Sequence, residues 1–176
     1  MGITRALLEH PSKITLTLLP RAILGLLALL CGNAYIVGIN QIYDVDVDSI
    51  NKPFLPLPAK LITEDKAWGI VLASLLTGIY TVRRHFSLPI QYLYFLGLTL
   101  GSLYTLPPLQ LKRIPLLAGC TIAIVRGFLL NFGVYYAVRE ALGVKFSWNP
   151  MVMFISCFMT VFASVIAITK VCTVCM

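Results

Sequence analysis

Charges in this chain fall at the ends of five long apolar runs. Residues 22–43 carry no charge at all, and the run begins nearer Ile14 with Arg21 tolerated towards one side. A second run, 67–82, ends at Arg83, Arg84 and His85. A third lies within 86–111 and stops at Pro107 and Pro108, just ahead of Lys112 and Arg113. The fourth, 114–138, is interrupted only by Arg126. The fifth, 146–169, opens on Trp148 and Pro150, which suit a helix starting at a membrane interface. A helix needs about 20 apolar residues to cross the hydrocarbon core. Alternating ten-residue strands of the kind a membrane barrel requires do not occur. The pattern predicts an all-α, polytopic transmembrane helical bundle of about five spans.

Five spans place successive loops on alternate sides. Loops 44–66 and 107–113 and the residues after Thr169 share one side, with Lys52, Lys60, Lys66, Lys112, Arg113 and Lys170. Arg5, Lys13, Arg83, Arg84, Arg139 and Lys145 lie on the other, with Arg21 nearby. Six cations against six or seven is no bias, so the positive-inside rule does not orient the chain.

Composition agrees with the pattern. Of 176 residues 59% are hydrophobic and 12% charged, where a soluble domain carries about 25% charge. Mean hydropathy is +0.88. The net charge of +7 raises nucleic acid as a partner, but the basic residues are scattered singly and in pairs between apolar runs. No basic stripe with interleaved aromatics exists, which excludes nucleic acid. Cations placed this way suit membrane lipid phosphates or an anionic substrate. Cys31, Cys120 and Cys157 lie inside apolar runs and read as small hydrophobes. Cys172 and Cys175 form a CxxC with no second pair or His pair to complete a zinc site.

The chemistry concentrates where the first run ends, in Asn40-Gln-Ile-Tyr-Asp44-Val-Asp46-Val-Asp48, followed by Asn51-Lys52-Pro53. On an α-helix Asn40, Asp44 and Asp48 stand one above another at i, i+4 and i+8, and Asp46 points away from them. Two carboxylates one turn apart repel each other unless a cation lies between them, and all-oxygen donors suit Mg²⁺. Lys52, Lys112 and Arg113 come to the same side of the membrane. Mg²⁺ flanked by Lys and Arg is what a diphosphate leaving group needs, and the apolar interior offers a groove for a lipid tail. A prenyl diphosphate fits both. The plainer reading is that the carboxylates end the span and the cations anchor to headgroups. Arg126 lies mid-span, where snorkelling does not easily reach water, so it faces a polar cavity or a substrate. Asn131 either lines that cavity or makes an interhelical hydrogen bond. Tyr104 sits near the end of the third run, as a site residue or an interface aromatic.

NQIYDVDVD with NKPFLPLP resembles the first aspartate motif, NxxxDxxxD, of the UbiA superfamily of intramembrane prenyltransferases. YTLPPLQLKR is similar to that family's YSxPPxRLKR loop, and RGFLLNFGVYYAVREALG to a helix of its plastid homogentisate branch. GNAYIVGINQIYD and FASVIAITK are most similar to the solanesyl-transferring members. The resemblance covers residues 1–170 and leaves 171–176 as an unrelated short tail. It implies transfer of a polyprenyl group from its diphosphate, such as solanesyl diphosphate, to homogentisate with loss of CO₂, in a plastid membrane. It implies that Asn40, Asp44 and Asp48 hold Mg²⁺ and that Lys52 contacts phosphate. Tyr104 and Lys112 then belong to the loop over the diphosphate, where Gln110 replaces a usual basic residue.

The family's second aspartate motif, TKDxxDxxGD, is not matched: the chain reads Thr169-Lys170-Val-Cys-Thr-Val-Cys-Met176. After Asp65 the only acidic residue is Glu140, on the opposite side. The resemblance thus implies spans two to six of a nine-helix fold and little or no turnover by this chain alone. A non-catalytic form that binds prenyl diphosphate or a full-length partner is the second reading. A small transporter using Asp44, Asp48 and Arg126 is the third, although the internal repeat it calls for is not found.

Overall fold

The structure, a computed structural model, describes residues 18–107, 109–144 and 149–174. Helices α1 (Leu18–Tyr43) and α2 (Val45–Asn51) lead to α3 (Glu64–His85) and α4 (Leu88–Thr105). A 3₁₀ turn, Leu111–Arg113, precedes α5 (Pro115–Ile122), which continues through a π-helical segment, Ala123–Leu129, into α6 (Leu130–Ala141). Helix α7 is Pro150–Val174. No strand occurs among the described residues.

The helix ends follow from local chemistry. Glu64 and Asp65 stand in the first turn of α3 and Arg83, Arg84 and His85 in its last, each complementing the helix dipole. Proline opens α4, α5 and α7 in the first turn, where its missing N–H costs nothing. Helix α4 stops at Thr105, because Leu106 precedes Pro107 and is driven into extended backbone.

Each of the five apolar runs holds one long helical stretch. Two of them, Leu18–Tyr43 and Leu117–Ala141, are long and apolar enough to cross a membrane by length and composition. Helix α7 runs on to Val174, five residues past the end of the fifth apolar run. Nothing between Met151 and Val174 is Gly or Pro, so no residue there stops a helix. The expectations placed on Arg5, Lys13, Ile14, Lys145, Trp148 and Cys175, and on the side chains of Lys170 and Cys172, lie outside the described residues.

Helices α1 and α3 pack antiparallel, with Gly25 against Phe86 at one end and Tyr43 edge-on to Trp68 at the other. Helix α4 runs parallel to α1 and is tied to it by a polar ladder of nearly constant offset. Tyr94 Oη donates to Ala28 O at 3.1 Å, Tyr35 Oη pairs with Ser102 Oγ at 2.9 Å, and Thr105 Oγ1 donates to Asn40 Oδ1 at 3.1 Å. Helix α4 also touches α5, the π segment and α6, and so joins the α1–α3 pair to the stretch that packs on α7. At the far end from Asn40, Arg21 approaches Glu140 at 3.7 Å and Ser87 donates to the same carboxylate. Glu140 therefore lies on the side opposite Asp44, as the alternation of loops predicts.

The Tyr94 hydroxyl is wedged where α1, α3 and α4 meet, so Gly78 has no room for a side chain. A Cβ there stands 3.3 Å from Tyr94 Cζ and 3.2 Å from Cys31 Cβ, with the hydroxyl closer still. Tyr94→Phe is expected to lower stability by about 1 kcal/mol, the usual worth of one hydrogen bond inside a helical membrane bundle. Gly78→Ala is expected to cost more, and part of that cost disappears in the double variant because the clashing hydroxyl is gone. Melting temperatures of the four detergent-solubilised proteins test this.

Candidate functional site

Helix α1 does not pass smoothly into α2. Asp44 lies at the junction with φ −113° and ψ 14°, outside the helical region. The bend nevertheless keeps the helical hydrogen bonds along one line. Asp44 N donates to Asn40 O at 3.1 Å, Asp48 N to Asp44 O at 2.7 Å, and Lys52 N to Asp48 O at 2.7 Å. Asn40, Asp44, Asp48 and Lys52 are thereby stacked on one face. Asp46 is exposed on the other, as the spacing predicts.

Each member of the stack has a partner. The Asn40 amide oxygen accepts from Thr105, which is fully buried at the end of α4. Lys112 Nζ donates to Asp44 Oδ1 at 2.5 Å, and these side chains are only 19% and 25% exposed. Lys52 Nζ lies 3.6 Å from Asp48 Oδ1; the lysine is 57% exposed and the carboxylate 11%. Tyr104 is half-buried beside Thr105 and within electrostatic reach of Asp44. The carboxylates were legible in the sequence, whereas Thr105 was missed. A hydroxyl in the last turn of an apolar helix was the only signal for it.

Lys112 reaches Asp44 because of the turn that carries it. Gln110 adopts a left-handed conformation, φ 37° and ψ 60°, and reverses the chain into the Leu111–Arg113 turn. That conformation costs a non-glycine residue about 1–2 kcal/mol. Gln110→Gly is therefore expected to be tolerated, whereas β-branched Gln110→Val lowers stability by about 1–2 kcal/mol and loosens the Lys112 contact. Thermal melting checks the first effect. Hydrogen exchange at 109–114 checks the second.

Arg113, Arg126 and Asn131 are not gathered into this cluster. Arg113 is exposed on the 3₁₀ turn and Arg126 is exposed on the π segment. Asn131 Nδ2 donates to Gly127 O at 2.8 Å and to Arg126 O at 3.4 Å, so its amide serves carbonyls of the π segment. Among the described residues no hydrogen bond or ion pair joins these three to Asp44 or Asp48.

Among the described residues no group of three or more His, Cys, Asp or Glu side chains surrounds a possible metal position. The donors available are two carboxylates and one amide oxygen, fewer than a complete protein cage. They suit Mg²⁺ bound in its phosphate-dependent manner, in which one or two carboxylates hold the ion and substrate phosphates and waters fill the other positions. Lysines on both carboxylates add the cationic surroundings a phosphorylated ligand needs.

Residues 2–172 match the UbiA prenyltransferase family. The chain belongs to that family. It is 53% identical over 168 residues to a probable homogentisate phytyltransferase 2, chloroplastic, of Oryza sativa subsp. japonica, covering 96% of this chain and 44% of that protein. It is 52% identical over 168 residues to the chloroplastic homogentisate solanesyltransferase of Arabidopsis thaliana, with the same coverage. It is 38% identical over 147 residues to the homogentisate phytyltransferase of a Synechocystis strain, covering 82% of this chain and 46% of that protein. This UbiA-family chain thus spans less than half the length of the curated relatives it matches. No solved structure matches it significantly. The family is an intramembrane helical fold, in agreement with the apolar helices found here, and its members generally use a divalent metal.

Proposed function

We propose that this chain binds a prenyl diphosphate with Mg²⁺ on the Asn40–Asp44–Asp48 face and serves transfer of the prenyl group to an aromatic acceptor such as homogentisate. The observation that carries the reading is the meeting of Asp44 with Lys112 from another loop, one turn from the Asp48–Lys52 pair. Neither contact is needed merely to end a span.

Mg²⁺, held on that face, would supply positive charge to the diphosphate leaving group. Asp44 and Asp48 would hold the ion, and Asn40, whose amide oxygen accepts from Thr105, would offer that oxygen's other lone pair. Lys52 and Lys112 would neutralise phosphate oxygens, and Tyr104 is the candidate hydroxyl beside them. Such fixed charges work best where water is excluded, as at the edge of an apolar bundle. Arg126 is our candidate for contact with the acceptor's carboxylate, with Asn131 supporting the π segment that presents it. Among donors, solanesyl diphosphate is proposed from sequence similarity; relatives named for phytyl and geranylgeranyl transfer are also similar. A chloroplast membrane is the proposed location, from the chloroplastic relatives.

A segment exchange tests the proposal. Residues 2–172 replace the matching segment of the Arabidopsis homogentisate solanesyltransferase, and the hybrid is assayed with homogentisate, Mg²⁺ and solanesyl, phytyl or geranylgeranyl diphosphate. The expected result is a prenylated quinol that disappears with EDTA. A hybrid that melts like its parent yet forms no product contradicts the proposal.

A further inference from the structure

Lys112 is placed for more than contact with a phosphate. We infer that it is an internal stand-in for the metal: it holds the Asp44 carboxylate until a diphosphate arrives, so metal and diphosphate bind together rather than metal first. This rests on the diphosphate reading above and adds an order of events to it.

The geometry separates the two lysines. Lys112 Nζ is 2.5 Å from Asp44 Oδ1, between side chains that are mostly buried. A divalent ion on the same carboxylate would face the ammonium at close range with little water to screen it. Lys52 is 3.6 Å from its carboxylate and more than half exposed, so water screens it and the lysine moves aside easily. The barrier to metal alone is therefore set by Lys112.

Lys112 also has somewhere to go. Its backbone is held by the 3₁₀ turn and by the hydrogen bond from Arg113 N to Gln110 O at 2.9 Å, and its long four-carbon stem gives the ammonium reach beyond Asp44. A diphosphate at Asp44 offers that ammonium new oxygens at the moment the metal claims the old one. Lys52, Asp48 and Tyr104 are the other charged or ionisable groups around this exchange, while Arg113, next to Lys112 on the turn, is exposed. The affinities of metal and diphosphate become linked, and each raises the other by the same factor.

The consequence is a pair of effects with opposite sign. Removing the ammonium frees Asp44 for metal but takes a contact from the diphosphate. The test uses the whole chain in nanodiscs. Mn²⁺ alone is titrated by the loss of its free-ion EPR signal, and labelled geranylgeranyl diphosphate is titrated at saturating Mn²⁺ by equilibrium dialysis. Lys112→Met is expected to tighten Mn²⁺ alone about tenfold and to weaken geranylgeranyl diphosphate about tenfold, within the usual range of coupling between sites. Lys112→Arg, which keeps the charge, is expected to leave Mn²⁺ affinity near wild type, and melting curves confirm that both variants fold. If Lys112→Met weakens the diphosphate but leaves Mn²⁺ affinity unchanged, the stand-in role is overturned and the diphosphate site survives. If wild type binds no diphosphate with Mn²⁺ present, both fall.

Discussion

Asp48→Asn, made in the segment-exchanged enzyme, is expected to lower prenyl transfer by about 10²–10³-fold, the range seen when one fixed group that stabilises developing charge is removed. The substitution changes one oxygen to an NH₂ and keeps the shape, so the bundle is expected to melt within a few degrees of wild type. The effect is large because Asp48 is only 8% exposed and one helical turn from Asp44. Its charge acts across a poorly screened distance and no neighbouring acid replaces it, since Asp46 faces away. Asp44→Asn is expected to act in the same direction and to leave Lys112 without its carboxylate. A carboxylate that only marks the end of a span predicts almost no change in rate, so the kinetics divide the two readings cleanly.

Gly127→Ala is expected to be the most destabilising single methyl addition in the described part of the bundle. Gly127 lies in the π segment, against α7. A Cβ there falls 2.5 Å from Thr160 Cα and 2.8 Å from Thr160 N. Those atoms are backbone, so relief requires the two helices to separate. Overpacking of this kind costs about 1–3 kcal/mol and occasionally more. Shortening the opposing side chain, as in Gly127→Ala with Thr160→Ala, is not expected to restore stability, because Cα and N stay where they are. Melting of the single and double variants in detergent measures both statements.

The five helical stretches were legible because charges and prolines punctuate the apolar runs, and that punctuation survives in any tertiary context. The Asn40–Asp44–Asp48 face was legible for a similar reason: helical spacing is local, and the hydrogen bonds across the Asp44 bend preserve it. The topology correctly put Lys112 on the side of Asp44 and Glu140 on the other. What the pattern did not contain depends on contacts between distant residues. The π segment accompanies the tight approach of Gly127 to Thr160, and no local feature of AIVRGFL announces it. The left-handed Gln110 occupies a position where sequence favours glycine or asparagine, so the turn that delivers Lys112 was not visible. Asn131 carries an amide suited to a cavity, but the carbonyls of the π segment claim it. Helix α7 continues past Lys170 to Val174, a stretch of β-branched residues and Cys that contains no Gly or Pro to stop it but whose own propensity does not announce a helix.

Asn40, Asp44 and Asp48 with Lys112 are proposed as the diphosphate site. The site is tested most directly by an anomalous-difference map from crystals of the protein with Mn²⁺ and a non-hydrolysable prenyl thiolodiphosphate. The expected result is a Mn²⁺ peak within coordination distance of both Asp44 and Asp48, with Lys112 moved from Asp44 onto a phosphate oxygen. Mn²⁺ and diphosphate bound elsewhere, with Lys112 still on Asp44, would contradict it.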